Sequence, residues 1–480
     1  MYIDDESVYG VYWWMNGVVY EKADNLDPTN SIIDVRIPLA WHSGETYNLR
    51  FAYTYGDESF EITHTADVPE NSGVWHFAAA GGETFVIRET AGIERNGELV
   101  ELDVTGPAPL YPDPHKDVRA TVLTARGEHK QIPVQINNVT RTPETQISPP
   151  GIYFKATVAL DVPAGEEQTV MLWHAPTAPV RSPQQHIELT GGPIGGILQS
   201  PEYRVELHEP SGQLLNWTDQ ELGETLTYNQ APADRPPIIY PFHYAPDAYD
   251  GEGSWSHTSD WEAPDVDVLS GPLFVETVRR GTLPGMEEVY ASVHYRFPGS
   301  GPFESSSVIR VTKDVNAMAL RNGSFGADDE LFTHVAWPTT DGSVKEVPLS
   351  LLKGNDTGAP PAGKLPIDTP WVAYINKPKG YAFASIVAES SYFNETGEPV
   401  NRSGGHRYVS MYRGWFVYSV RALNITYQDT IRTLYSPIPA GTVAHLRTVY
   451  TAFSLDDTDN PYEPVITAAR RARNPLILIP

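Results

Sequence analysis

The chain has 480 residues, with 61 aspartates and glutamates against 34 lysines and arginines, for a formal net charge of −27. That balance argues against nucleic acid or an anionic membrane as a partner, because both are held by a basic face. It weighs against a polyanionic substrate too, unless basic groups gather locally or salt screens the field. There is no cysteine, so disulfides and thiol chemistry are excluded. No apolar run is long enough to cross a bilayer as a helix, and no membrane insertion is expected.

Thirty-eight glycines, 42 prolines and 11% aromatic residues, with few long helical periods, point to an all-β chain of several domains. The expected architecture is small β-sandwich or barrel units followed by a large antiparallel β-supersandwich. The N-terminus, MYIDDESVYG, is acidic and is not a signal peptide. N-x-S/T sequons begin at Asn138, Asn216, Asn322, Asn355, Asn394, Asn401 and Asn424. The expectation is a secreted or extracellular protein whose signal peptide is absent from this sequence.

Residues 1–88 read as short strands of a small β-sandwich. Asn16-Gly17 between YGVYWWM and VVYEK is a hairpin signal, and VWHFAAAGGETFVIRE reads as a second hairpin turning at Gly81-Gly82. Residues 89–178 read as a second unit, a small barrel or sandwich. A hairpin turn is expected at Asn96-Gly97, and Pro163-Ala164-Gly165 joins two alternating strands. TAPVRSPQQH is a polar, proline-rich linker. Residues 184–480 read as one large unit. YRVELHEPSGQLLNWTD is a hairpin across Ser211-Gly212. In EVYASVHYRF, Val289, Ala291, Val293 and Tyr295 share one face, and Tyr290, Ser292, His294 and Arg296 the other. YEPVITAARRAR is the segment of helical composition, with Arg470, Arg471 and Arg473 in its last turn, complementing the helix dipole.

Tyr240 to Trp261, YPFHYAPDAYDGEGSWSHTSDW, concentrates the chemistry. Pro241, Pro246, Gly251 and Gly253 break any regular period, so a long loop is expected. It combines aromatic platforms with groups that move protons. There is no HExxH, GxSxG, phosphate-binding or dinucleotide fingerprint. Asp265-Val266-Asp267 and Asp328-Asp329-Glu330 could take part in a calcium site, although such a run is more often a solvated turn. No cofactor is assigned, and calcium is the one left open.

Carbohydrate chemistry remains, in two forms. Hydrolysis needs two facing carboxylates, drawn from Asp247, Asp250, Glu252, Asp260 and Glu262 in the loop or from Glu276 and Glu304 on strands. Elimination beside a uronate needs a base, an acid and a cation that neutralises the sugar carboxylate. His257 or His243 and Tyr244 or Tyr249 suit the first two roles, and Arg279, Arg280 or Arg413 the third. Trp255 and Trp261 are candidate sugar platforms, and His334, flanked by Phe332 and Trp337, is a further binding candidate.

AGIERNGELVELDV, IPVQI and the strand pair joined by VPAGEEQTV resemble the barrel-like N-terminal domain of exo-acting rhamnogalacturonan lyases. YRVELHEPSGQLLNWTD through SSSVIRVTKDVNAMALRNGSF and LFTHVAW resemble the galactose-mutarotase-like β-sandwich that follows it. The resemblance implies a polysaccharide lyase acting on a polysaccharide or oligosaccharide. Those lyases carry a helical toroid for which this sequence shows no counterpart, so no catalytic residue is taken from them. Glycoside hydrolase and non-catalytic carbohydrate-binding protein are the other two readings.

Overall fold

The computed structural model describes residues 83–107, 113–123, 129–143, 151–174, 187–226, 245–250, 255–352, 364–366, 368–399, 406–412, 416–425, 436–455 and 460–479, together with short strand segments between 2 and 78. The chain divides into two compact units, residues 1–183 with 476–480, and residues 184–475. Both are built from antiparallel sheets, so the all-β expectation stands.

In the first unit, two sheets share one core. Arg95–Pro107, Gly151–Val162 and Val134–Thr142 form one sheet. His129–Ile132, Val118–Leu123, Glu167–His174, Glu83–Arg88 and Ile477–Ile479 form the other. Alternate residues point inward, so Leu102, Val104, Phe154, Ala156 and Val158 meet Ile87, Ala120, Val170 and Leu172 in a dry layer. Pro163-Ala164-Gly165 is a turn, with Gly165 at φ 73°, and it carries the chain from one sheet to the other.

Two hairpin expectations need correction. Asn96-Gly97 does not reverse the chain. The strand runs through it, and the ladder slips between Arg95 and Glu98. Gly97, at φ 61°, is therefore a β-bulge, a feature that wants the same left-handed glycine as a tight turn. Gly81-Gly82 lies outside the described residues. The strands flanking it do not pair with each other: His76–Ala78 is laddered to Leu39–Trp41, and Glu83–Arg88 to Glu167–His174. The hairpin across Asn16-Gly17 is present, with Met15 opposite Val18.

The second unit is a sandwich. Its nine-stranded sheet runs Asp265–Ser270, Phe274–Leu283, Met286–Pro298, Phe303–Val311, Val443–Ser454, Tyr381–Phe393, Trp371–Asn376, His334–Pro338 and Val344–Pro348. A six-stranded sheet runs Ser256–His257, Asp247–Tyr249, Ala319–Asp328, Phe416–Ile425, His406–Tyr412 and Lys364–Pro366. A five-stranded sheet holds the predicted hairpin, with Val205 opposite Trp217. As the alternation requires, Val289, Ala291, Val293 and Tyr295 are fully buried, while Tyr290, Ser292, His294 and Arg296 are half-buried on the other face.

Aromatic stacks join the layers. Trp217 lies 4.3 Å from Tyr203 and 4.6 Å from Phe303, and Phe325 lies 4.4 Å from Tyr374. The predicted helix spans Glu463–Arg473 and covers part of the nine-stranded sheet's other face with Val465 and Ala469, one turn apart. Among the sequons, Asn322 is fully buried, so that one cannot carry a glycan.

Candidate active site

On either side of residues 251–254, which lie outside the described residues, the expected loop carries regular structure. Asp247–Tyr249 and Ser256–His257 are short strands, and Thr258–Asp260 is a turn of 3-10 helix. Their register makes the site. Asp247 stands opposite His257 on one side and opposite Arg321 on the other. Residues directly opposite in neighbouring strands project to one face. The ladder thus sets His257, Asp247 and Arg321 in one row across three strands.

The side chains close on one another. His257 Nδ1 is 2.9 Å from Asp247 Oδ2. Arg321 Nε donates to Asp247 Oδ1 at 2.6 Å, and its Nη2 donates to Oδ2. Asp247 is 0% exposed, His257 3% and Arg321 5%. Burial pushes the Asp247 carboxyl up, but the charge on Arg321 and the bond to His257 outweigh it and hold the group below its ordinary value. Asp247 is therefore an anion. An anion accepts from Nδ1–H, which fixes the orientation of the His257 ring, and Nε2 lies buried on its other side. The carboxylate thus orients the imidazole within a buried row.

Trp255 lies over the row. The Arg321 guanidinium carbon is 3.6 Å from its ring centroid, and Tyr249 stacks on it at 5.2 Å. His257 N–H donates to Asp260 Oδ2 at 3.2 Å, which fixes the start of the 3-10 turn.

Arg279 and Trp261 hold different places from those expected. Arg279 is fully buried and donates to Ser211 O and Gln213 Oε1, with its guanidinium 4.5 Å from the Tyr295 centroid. Gln213 in turn donates to Ala245 O and Thr258 Oγ1. Arg279 is thus a strut for the two segments that carry Asp247 and His257, and it presents no charge to a sugar. Trp261 is 5% exposed, packs beside Gly281 and donates to Thr282 O, so it offers no face for stacking.

Arg280 is held by Asp267 at 2.6 Å and Asp265 at 3.6 Å, which also engages the first proposed calcium pair. Among the described residues no group of three or more histidines and carboxylates could hold a metal ion. His334 touches Thr333 and lies 3.8 Å from Glu346, away from the dyad. Glu276 and Glu304 face Arg296 and Arg447. His243, Tyr244 and Arg413 lie outside the described residues. Arg321 was missed because a lone arginine in an apolar strand carries no local signal; only the register brings it to Asp247.

No family model and no curated protein matches the chain. Among solved structures it is similar to a protein of glycosyl hydrolase family 38 from Enterococcus faecalis, at 11% identity and TM-score 0.47, covering 83% of this chain and 47% of that one. It is also similar to a galactose mutarotase-like protein from Lactobacillus casei, at 8% identity and TM-score 0.31, covering 56% and 100%. A third is the galactosidase domain of an alpha-galactosidase-sucrose kinase, at 11% identity and TM-score 0.30, covering 58% and 42%. The chain thus spans about half the length of the first of these, and the likenesses carry no residue-by-residue correspondence.

Proposed function

We propose that the protein acts on carbohydrate, and that its reaction is β-elimination next to a uronic acid with His257 as the proton acceptor. One observation carries this reading: the row of Arg321, Asp247 and His257, in which a fixed anion orients an imidazole. Asp247 positions the ring and stabilises the imidazolium that forms when the proton arrives, and Arg321 keeps Asp247 ionised. Of the three arginines expected to neutralise the uronate carboxylate, Arg279 is in the core, Arg280 is held by aspartates, and Arg413 lies outside the described residues.

The test is the ultraviolet absorbance of unsaturated uronate over a panel of uronate glycans, at low and high salt. His257→Ala is expected to lower the rate by roughly 10²–10⁴-fold. New reducing ends without that absorbance would replace elimination with hydrolysis. The burial of Asp247 and His257 favours a second reading, a non-catalytic carbohydrate-binding protein in which the dyad is a clamp. Glycan binding with neither product, unchanged in His257→Ala, would establish it.

A further inference from the structure

The face of the nine-stranded sheet that carries His294 also carries a row of polar side chains across neighbouring strands. His294 stands opposite Ser306, Ser306 opposite Arg447, and Arg447 opposite Glu389. Residues paired in this way project to one face. The strand Val443–Ser454 runs between Ser306 and Glu389, and His445, two residues before Arg447, shares that face. The register therefore sets one imidazole between a hydroxyl and a carboxylate. His445 Nε2 is 3.0 Å from Ser306 Oγ, and its Nδ1 is 3.7 Å from Glu389 Oε1. Solvent reaches this group, unlike the Asp247 row: Ser306 is half-buried, and the side chains of His445 and Glu389 are 25% and 60% exposed.

Serine, histidine and carboxylate in that order are the parts of an activated nucleophile. A carboxylate only accepts, so Glu389 favours the tautomer with Nδ1–H on its side, and Nε2 then accepts from the Ser306 hydroxyl. The neighbours of Ser306 suit the charge that acyl transfer creates. Arg447 places a cation in the same row. It donates to Glu304 at 3.3 Å and to Ala472 O at 2.9 Å, which leaves further N–H groups on its guanidinium. On the other side His294 contacts Ser292 Oγ at 3.0 Å. Burial, with the charges of Arg280 and Arg279, holds His294 below its ordinary value, so it is neutral and keeps one N–H.

We propose that Ser306, His445 and Glu389 form a second active site, on the exposed face of the nine-stranded sheet, that hydrolyses carboxylic esters of a short acyl group such as acetyl. It does not use the Asp247 row and does not depend on it. Ser306 Oγ bonds to the ester carbonyl carbon as its proton passes to His445 Nε2, and the carbonyl oxygen becomes an oxyanion in the field of Arg447. The oxyanion collapses, the bond to the alcohol oxygen breaks, and the alcohol leaves with the proton from His445. Water then attacks the acyl-serine and gives a proton to His445. The bond from the acyl carbon to Oγ breaks, Oγ takes that proton back, and the carboxylic acid departs. Glu389 is a positioning residue, which holds the ring and offsets the imidazolium charge. The polar, charged row beside Ser306 matches a small acyl group and not a long alkyl chain.

The experiment treats the full chain with a fluorophosphonate, which phosphonylates an activated serine, and follows acid release from glyceryl triacetate by titration at fixed pH. The label is expected on Ser306, mapped by peptide mass spectrometry. Ser306→Ala and His445→Ala should each lower the rate of acid release by roughly 10²–10⁴-fold. Glu389→Gln should lower kcat and leave KM in place, a split that a merely structural role would not give. Labelling of the wild-type chain keeps the test decisive if a variant fails to fold. A wild-type chain that takes no label at Ser306, or a Ser306→Ala variant as active as wild type, would overturn the proposal.

Discussion

Asp247 is fully buried and has two partners, and its neighbours are arranged around its charge. Asp247→Asn leaves Arg321 buried without an anion, and is expected to cost about 3–5 kcal/mol in urea unfolding. Its folded carboxyl lies below the ordinary value, so its contribution is complete above the unfolded pKa. That contribution is lost as pH falls through the folded value, so the loss begins below about pH 4. Glu89 shows the same sign in the first unit. It accepts from Ala91, Gly92, Ile93 and Gly165 N–H and from Arg95. Burial pushes its carboxyl up, but these donors bring it from 4.5 down to about 2. Its contribution is present above pH 4.5 and fades toward pH 2. Glu89→Gln should flatten the acid limb of the first unit's circular-dichroism melt between those values. Loss of stability in that variant at neutral pH alone, with an unchanged acid limb, would contradict this. Neither role is written in the local sequence, since a lone acid in a strand or loop reads the same whether solvated or buried.

At the scale of elements, very short strands do the positioning. Asp247–Tyr249 is three residues and Ser256–His257 two, too short for any periodicity to reveal. They persist because Arg279 and Gln213 tie down both of their flanks. The bulge at Gly97 has a similar lesson. Asn-Gly marks a left-handed glycine, but composition does not say whether the chain then turns or continues. Gly97 N–H donates to Asp161 Oδ1 at 2.7 Å, which ties the bulge to the partner strand. Gly97→Ala should cost about 1–2 kcal/mol, because a Cβ is disfavoured at φ 61°. A melt unchanged from wild type would show that the bulge relaxes. The helix was legible because Val465 and Ala469 fall one turn apart with arginines at its end.

At the scale of the molecule, each unit has its own apolar core. Ile477–Ile479 returns to the first unit, where it pairs with Glu83–Arg88. Removing residues 476–480 takes away that sheet's edge strand. Calorimetry should then show the first unit's transition lowered and the second unit's unmoved. Both moving together would mean the units melt as one.

Composition, strand alternation and turn residues were enough for the all-β class, for most long strands, for the Ser211-Gly212 hairpin and for the last helix. These depend on contacts between near neighbours, where side-chain period and backbone preference act directly. Beyond such hairpins, the tertiary structure alone decided which strands pair. That choice put Trp261 and Arg279 in the core and joined Arg321 to Asp247, 74 residues earlier in the chain. Register across a sheet is set by the packing of the whole sandwich, and no local pattern encodes it.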